Sequence, residues 1–363
     1  MRQIVYALTG SETVPPVLDR MLDRFVQRVR DEFEDIVWSA NFRGSALAPN
    51  LFDAHAHLSE TDQLGLFLSP QLYDAICMLS RNSSDEVLTR LLDIVRKASE
   101  VPQETEDGQL VRFQLGGTIT VDLGTEFCRR VDPTSPVFMA ELDPMSEEEI
   151  ATVRAKLSRA LQEIDDTAPG FARLIRNYTR TIFIRKVAAH VPASEQVDTE
   201  LGAIRLRNVH SELYSHDQLV DDLIHESTHN LLGTFEYLEF PFNPYGQRPE
   251  SWVRPVSPWS MRSIQALPFI HACFVYFAMF HYAERRRSSG LADADQLERL
   301  NARQNRHASG FLMPGRLSTY VSSLAATDPR VCQAIDWMEA VIGERYKLKD
   351  AQTGALQELR DVA

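Results

Sequence analysis

The chain has 363 residues, 44% of them hydrophobic and 25% charged, an ordinary balance for a globular protein able to bury a sizeable core. Its net charge of −13, from 38 basic and 51 acidic residues, argues against a nucleic-acid partner, because sequence-independent binding needs Lys and Arg to neutralise phosphates. No stretch approaches 18 consecutive uncharged apolar residues, so no membrane partner is expected.

The opening MRQIVYALTGSE lacks the long apolar run of a secretory signal, and the expectation is a cytoplasmic protein. Cys77, Cys128, Cys273 and Cys332 fit this, being far apart and without CxxC spacing, as reduced thiols are. After Pro15-Pro16, residues Leu18, Leu22, Phe25, Val29, Phe33 and Ile36 recur at helical spacing, which predicts an amphipathic helix with a proline start. Ala48 to Ser69 reads as irregular, with Pro49, Asn50 and His55-Ala56-His57 inside it. Ser84 precedes a second helix through Val87, Leu88, Leu91, Leu92 and Val95. Alternation over Val111 to Leu123, broken at Gly116-Gly117, predicts a hairpin.

Val131 to Met145 holds three prolines and reads as a connector. Ser146 with Glu149 is a capping box opening a helix through Ala155, Leu157, Leu161 and Ile164. Ala168-Pro169-Gly170 ends it, a further helix or strand runs Phe171 to Val187, and Leu201 to Arg207 reads as a strand. Ser215 with Gln218 caps a helix to about Leu238. A proline-rich loop from Phe240 to Pro258 leads to an almost wholly apolar helix from about Ile264 to Tyr282. Further helices are expected near 294–306, 316–325 and 329–346. The expected fold is α+β and predominantly α-helical, with a small β element. A mainly helical region covers 1–135, and a metal-binding catalytic region covers 136–363, the two forming one compact unit.

His225-Glu226-Ser227-Thr228-His229 carries the chemistry. Residues four apart share one helix face, so two imidazoles can converge on one ion with Glu226 beside it. The pattern arises by chance roughly 0.02 times in a chain of this His and Glu content. The competing reading is two solvated histidines on an acidic helix. A functional site needs a third ligand and open positions, and Glu236, Glu239, Glu250, His271, His281 and Glu284 are the candidates. Glu236 lies about 10 Å along the helix from His229, too far unless the helix breaks at Gly233. No HExxHxxGxxH continuation exists, since Leu232 stands where that pattern has glycine. His271 is the choice, because an unpaired imidazole in the apolar run Phe269 to Phe274 would be costly. The HExxH helix is then expected to pack against that buried helix. His281 reads as structural. A zinc peptidase with Glu226 as general base is the reading that spacing alone favours.

Leu223 to Asn230, then Ser257-Pro258-Trp259, then Phe269-Ile270-His271 together resemble the HExxH family of peptide-modifying enzymes encoded beside ribosomally made peptides. The likeness covers roughly residues 140 to 290. It implies an Fe(II)- and 2-oxoglutarate-dependent dioxygenase that hydroxylates the β-carbon of a side chain in a ribosomally synthesised precursor peptide. His225, His229 and His271 would hold iron, O2 would be consumed, and Glu226 would be a ligand or support one. The chain departs from the family pattern after the tryptophan, where Ser260-Met261-Arg262-Ser263-Ile264 stands in place of an early Arg and an Arg-Pro pair. Arg262 and Arg254 are the candidate anchors for the distal carboxylate of 2-oxoglutarate, which a bidentate guanidinium suits. Trp259 would wall the substrate pocket or pack in the core.

A second likeness is weaker. Asp53, His55 and His57 resemble the DxHxH strand end of amidohydrolase barrels, a fold that needs eight βα units. Arg285-Arg286-Arg287 reads as the cationic end of a helix.

Overall fold

A computed structural model of the chain describes residues 1–11, 16–79, 85–98, 112–188, 191–243, 255–313, 316–324 and 327–353. In chain order come α1 (Arg2–Ala7), α2 (Pro16–Phe42), α3 (Leu47–Ala56), α4 (Glu60–Phe67), α5 (Pro70–Leu79) and α6 (Asp85–Arg96). The hairpin strands β1 (Arg112–Leu115) and β2 (Ile119–Asp122) follow, then α7 (Glu126–Arg129), α8 (Glu147–Thr167) and α9 (Pro169–Tyr178). Strands β3 (Thr181–Arg185), β4 (Ala193–Glu195) and β5 (Ala203–Arg207) precede α10 (His216–Leu238). The chain continues with α11 (Ala266–Ser288), α12 (Ala294–Ser309), α13 (Leu317–Ser323) and α14 (Pro329–Thr353). Helix accounts for 63% of the described residues, beside one five-stranded mixed sheet, so the fold is α+β with helix predominant.

Two compact units divide the chain. Unit 1 comprises Met1–Leu18, Glu163–Arg173 and Phe235–Ala363, and unit 2 comprises Asp19–Gln162 and Leu174–Thr234.

Unit 2 carries the sheet, in the order β1-β2-β3-β5-β4. The hairpin expected at Gly116-Gly117 forms, pairing Leu115 with Ile119 and Arg112 with Asp122. Both glycines have positive φ, +59° and +75°, the backbone that a type I′ turn demands and that matches strand twist. Strands β2, β3 and β5 run parallel, and β4 returns antiparallel on β5 at the edge. Every residue of β3 and β5 is buried, as in parallel strands covered on both faces. Their arginines are therefore bonded internally. Arg205 is bidentate with Glu200 and pairs with Glu195 at 2.9 Å, while Arg185 donates to the carbonyls of Arg130 and Ala140.

The stretch from Ala48 to Ser69 corrects the expectation of irregular chain, because α3 and α4 occupy most of it. Residues that read as breakers are helix-start residues here. Pro49 sits in the first turn of α3, where an N–H has no acceptor inside the helix. Ser59 caps α4 by accepting the Asp62 N–H at 3.1 Å. The DxHxH likeness falls with this, since Asp53 and His55 lie within a helix rather than at a strand end. His55 packs between Phe33 and Phe67.

Unit 1 is built on α11, which packs on α12 and α14. By length and composition alone α11 could cross a membrane, but 83% of its apolar window is buried in the structure. Its polar side chains have partners, Tyr282 and Arg286 both reaching Glu163 at 2.9 Å.

Candidate metal centre

Helix α10 is started by Ser215, whose Oγ accepts the Gln218 N–H at 3.2 Å. Leu219, Val220, Leu223, Ile224, Leu231 and Leu232 are buried, and two polar residues fix the roll of the helix on the sheet. Asn230 donates to the Ala203 carbonyl at 3.0 Å and accepts the Gly202 N–H at 3.1 Å. Ser227 Oγ lies 2.7 Å from Thr179 Oγ1.

With that roll set, His225 and His229 stand side by side, half-buried, with ring centroids 5.0 Å apart. Their Nε2 atoms are 3.3 Å apart. Two nitrogens at 2.0–2.1 Å from one tetrahedral ion would be about 3.3–3.4 Å apart. A Glu226 carboxylate oxygen lies within 4.8 Å of a ring nitrogen of each histidine, completing a group that could hold a metal ion. Burial pulls the His225 pKa down, which favours the neutral imidazole that ligates metals. The donor set therefore fits a divalent ion such as Zn(II) or Fe(II).

Glu226 is buried, and its Oε1 accepts the Ser194 hydroxyl at 2.7 Å from the edge strand β4. Burial pushes its pKa up to about 8, with Glu195 acting in the same direction against the Ser194 and Gln196 hydrogen bonds. Three residues before His225, Asp222 is also pushed up by burial, to about 6. The Tyr214 hydroxyl donates to it. Sequence reading overlooked Ser194, Asp222, Tyr214 and Asn230. Asp222 had a signal, its i, i−3 position on the face of His225. Ser194 had none, arriving from a strand 32 residues away.

The structure places His271 in unit 1, buried on α11. Its Nε2 is 2.7 Å from Glu236 Oε2, and Glu236 Oε1 accepts the Phe242 N–H at 2.6 Å. Glu236 stands near the end of α10, which runs unbroken through Gly233, so this carboxylate does not turn back toward His229. A buried imidazole in an apolar helix thus has its partner. The metal-capable group found among the described residues is His225, Glu226 and His229.

Trp259 is buried in unit 1, stacked on Tyr276 at 4.5 Å, with its Nε1 donating to the His307 carbonyl at 2.9 Å. Arg262 is exposed in a tight loop closed by the Val256–Ser263 bridge. Arg254 and Glu250 lie outside the described residues. His281 is buried, its Nδ1 3.4 Å from Glu284.

No protein-family model and no curated protein sequence matches this chain. The family resemblance accordingly rests on the motif segments themselves.

Proposed function

We propose that this protein is a metal-dependent enzyme that hydroxylates the β-carbon of a side chain in a ribosomally synthesised precursor peptide, with Fe(II), 2-oxoglutarate and O2. The observation that carries the metal is the 3.3 Å separation of the His225 and His229 Nε2 atoms beside Glu226. Hydroxylation as the chemistry rests on the resemblance of the His225–His229, Ser257–Trp259 and Phe269–His271 segments to the HExxH peptide-modifying family. In this reading His225 and His229 hold the ion, the HExxH helix packs on α11, and His271 would be the third ligand through the ring nitrogen that does not face Glu236. Bound Fe(II) would supply O2 activation coupled to decarboxylation of 2-oxoglutarate.

The chain's own groups do the rest. Glu226, kept protonated below about pH 8 by burial and oriented by Ser194, places a hydrogen-bond donor beside the ligand nitrogens. Arg262 or Arg254 pairs with the distal carboxylate of 2-oxoglutarate. Trp259 supports the substrate side by packing on Tyr276.

A zinc peptidase is the second reading, and Glu226 favours it. A carboxylate with its pKa brought near neutrality beside two imidazoles is what a water-activating general base requires.

One experiment separates the two. Apo-protein is mixed anaerobically with Fe(II) and then 2-oxoglutarate, and the visible spectrum is followed. A metal-to-ligand charge-transfer band that is lost in His225→Ala supports the hydroxylase, and its weakening in His271→Ala supports the third ligand. Absence of the band, with tight stoichiometric zinc and peptide cleavage abolished by Glu226→Gln, overturns the hydroxylase in favour of the peptidase.

A further inference from the structure

Unit 2 contains a cavity of about 900 Å3 that shares no residue with the His225, Glu226 and His229 group. Its walls come from α4, α6, the turn between β1 and β2, α7 and the start of β3. Five cationic side chains line it among the described residues, and four of them are matched. Arg90 and Arg130 share Asp74 at 2.7 and 3.2 Å, and Arg130 also reaches Glu200. Lys97 pairs with Asp93 at 2.8 Å, and Arg112 Nε lies 3.5 Å from Asp122.

Arg180 is the exception, with no ion pair among the described residues. Its Nε, like those of Arg112 and Arg130, is buried without a hydrogen-bond partner, and burial is the only influence on its pKa, which it lowers. Glu126 also lines the cavity but is exposed and forms no ion pair with Arg180 among the described residues. Arg180 is half-buried. A guanidinium partly withdrawn from water without a counter-charge is costly, and no acidic residue among those described pairs with it.

The position of Arg180 is held from both sides. Its N–H donates to the Gly202 carbonyl at 2.7 Å, and its carbonyl accepts the Thr120 N–H at 2.8 Å. Gly202 has φ +89°, and a Cβ there would come within 3.2 Å of the Leu68 carbonyl oxygen and 4.0 Å of Arg180 Cγ. Leu64, Leu68, Ile94 and Phe127 contribute apolar surface to the same cavity. A cation on a held backbone, lining a cavity that mixes polar and apolar walls, is what selects an amphiphilic anion.

We propose that this cavity binds an organic anion, an apolar body carrying one oxyanion, either carboxylate or phosphate, that pairs with Arg180. The site is separate from the metal chemistry, and metal-free protein binds its ligand as well as metal-loaded protein does.

The test is calorimetric titration of the full chain with 3-phenylpropionate, phenyl phosphate and the uncharged 3-phenylpropionamide. At least one of the two anions is expected to bind about tenfold or more tightly than the amide. Whichever anion binds more tightly assigns the ligand to the carboxylate or the phosphate class. Arg180→Gln is expected to abolish the preference over the amide, and Arg180→Lys to retain part of it. Because Arg180→Gln removes an unmatched, half-buried charge, its Tm should hold or rise by roughly 2–4 °C. Equal binding of all three probes, no binding of either anion, or a preference that survives Arg180→Gln overturns the proposal. So does a fall in the Tm of Arg180→Gln, which would reveal a structural partner for the cation.

Discussion

Glu226→Gln in the metal-free protein isolates the electrostatic cost built into the candidate metal centre. The carboxyl is buried, and its pKa stands at about 8 against an ordinary 4.5. A group whose folded pKa is raised contributes stability that is full below 4.5 and is lost as pH climbs through about 8, because the unfolded chain releases the proton first. That interval, at about 1.4 kcal/mol per pH unit, amounts to about 5 kcal/mol. Asp222, pushed up to about 6, loses stability in the same sense at lower pH, while His225, pulled down, gains it as pH rises toward 6.5. Between pH 6.5 and 8 Glu226 is opposed by the amino terminus, whose pKa burial lowers from 8.0 so that it gains stability as pH rises, an effect the native protein and the variant share. Urea unfolding in EDTA, followed by far-ultraviolet circular dichroism, should show the native protein losing about 2 kcal/mol relative to Glu226→Gln over that range. Glu226→Gln keeps an acceptor for the Ser194 hydroxyl but has no proton to lose, so that loss is absent from its profile. Parallel profiles for the two proteins would refute the assignment of the buried charge penalty to Glu226.

Three further outcomes follow from the packing. Asn230→Ala leaves the Gly202 N–H and the Ala203 carbonyl without their partner; at about 1–3 kcal/mol for each buried group, unfolding should come about 2–4 kcal/mol more easily in urea, and a loss below about 1 kcal/mol would contradict the role of Asn230 in seating α10. Glu200→Gln removes the charge that Arg205 and Arg130 share, and an unfolding free energy lower by about 3–5 kcal/mol is expected. Gly170→Ala should improve helix propensity by about 1 kcal/mol, yet its Cβ would stand 2.6 Å from the Ser11 carbonyl oxygen and 2.7 Å from the Gly10 carbonyl carbon. Backbone cannot yield as a side chain can, so Tm should fall; a rise would show that Gly10 and Ser11 move aside.

The parts of the fold that were legible in the sequence are those whose signals are local. Apolar spacing marked α2 and α6, Ser146 with Glu149 marked the start of α8, and Ser215 with Gln218 marked the start of α10. Each of these caps forms as expected. Helices α3 and α4 were missed because Pro49 and Ser59 are ambiguous, serving a loop or the first turn of a helix equally well. The hairpin was visible because its two strands are neighbours in the chain. The parallel pairing of β3 with β2 and β5 was not, since it joins segments separated by helices and a long connector.

The same division runs through the candidate site. By itself the sequence determined that His225 and His229 share a face, because a spacing of four residues on a helix does so in any surroundings. It also determined that His271 would need a partner, because an apolar helix offers none. Only the tertiary structure decided that Glu236 is that partner, that Ser194 arrives from an edge strand to hold Glu226, and that Glu226 keeps its proton to about pH 8. It alone brought Arg180, which has no ion-pair partner among the described residues, into the wall of a cavity. Helical geometry is set within a few residues, whereas desolvation and charge pairing depend on which distant segments displace the water.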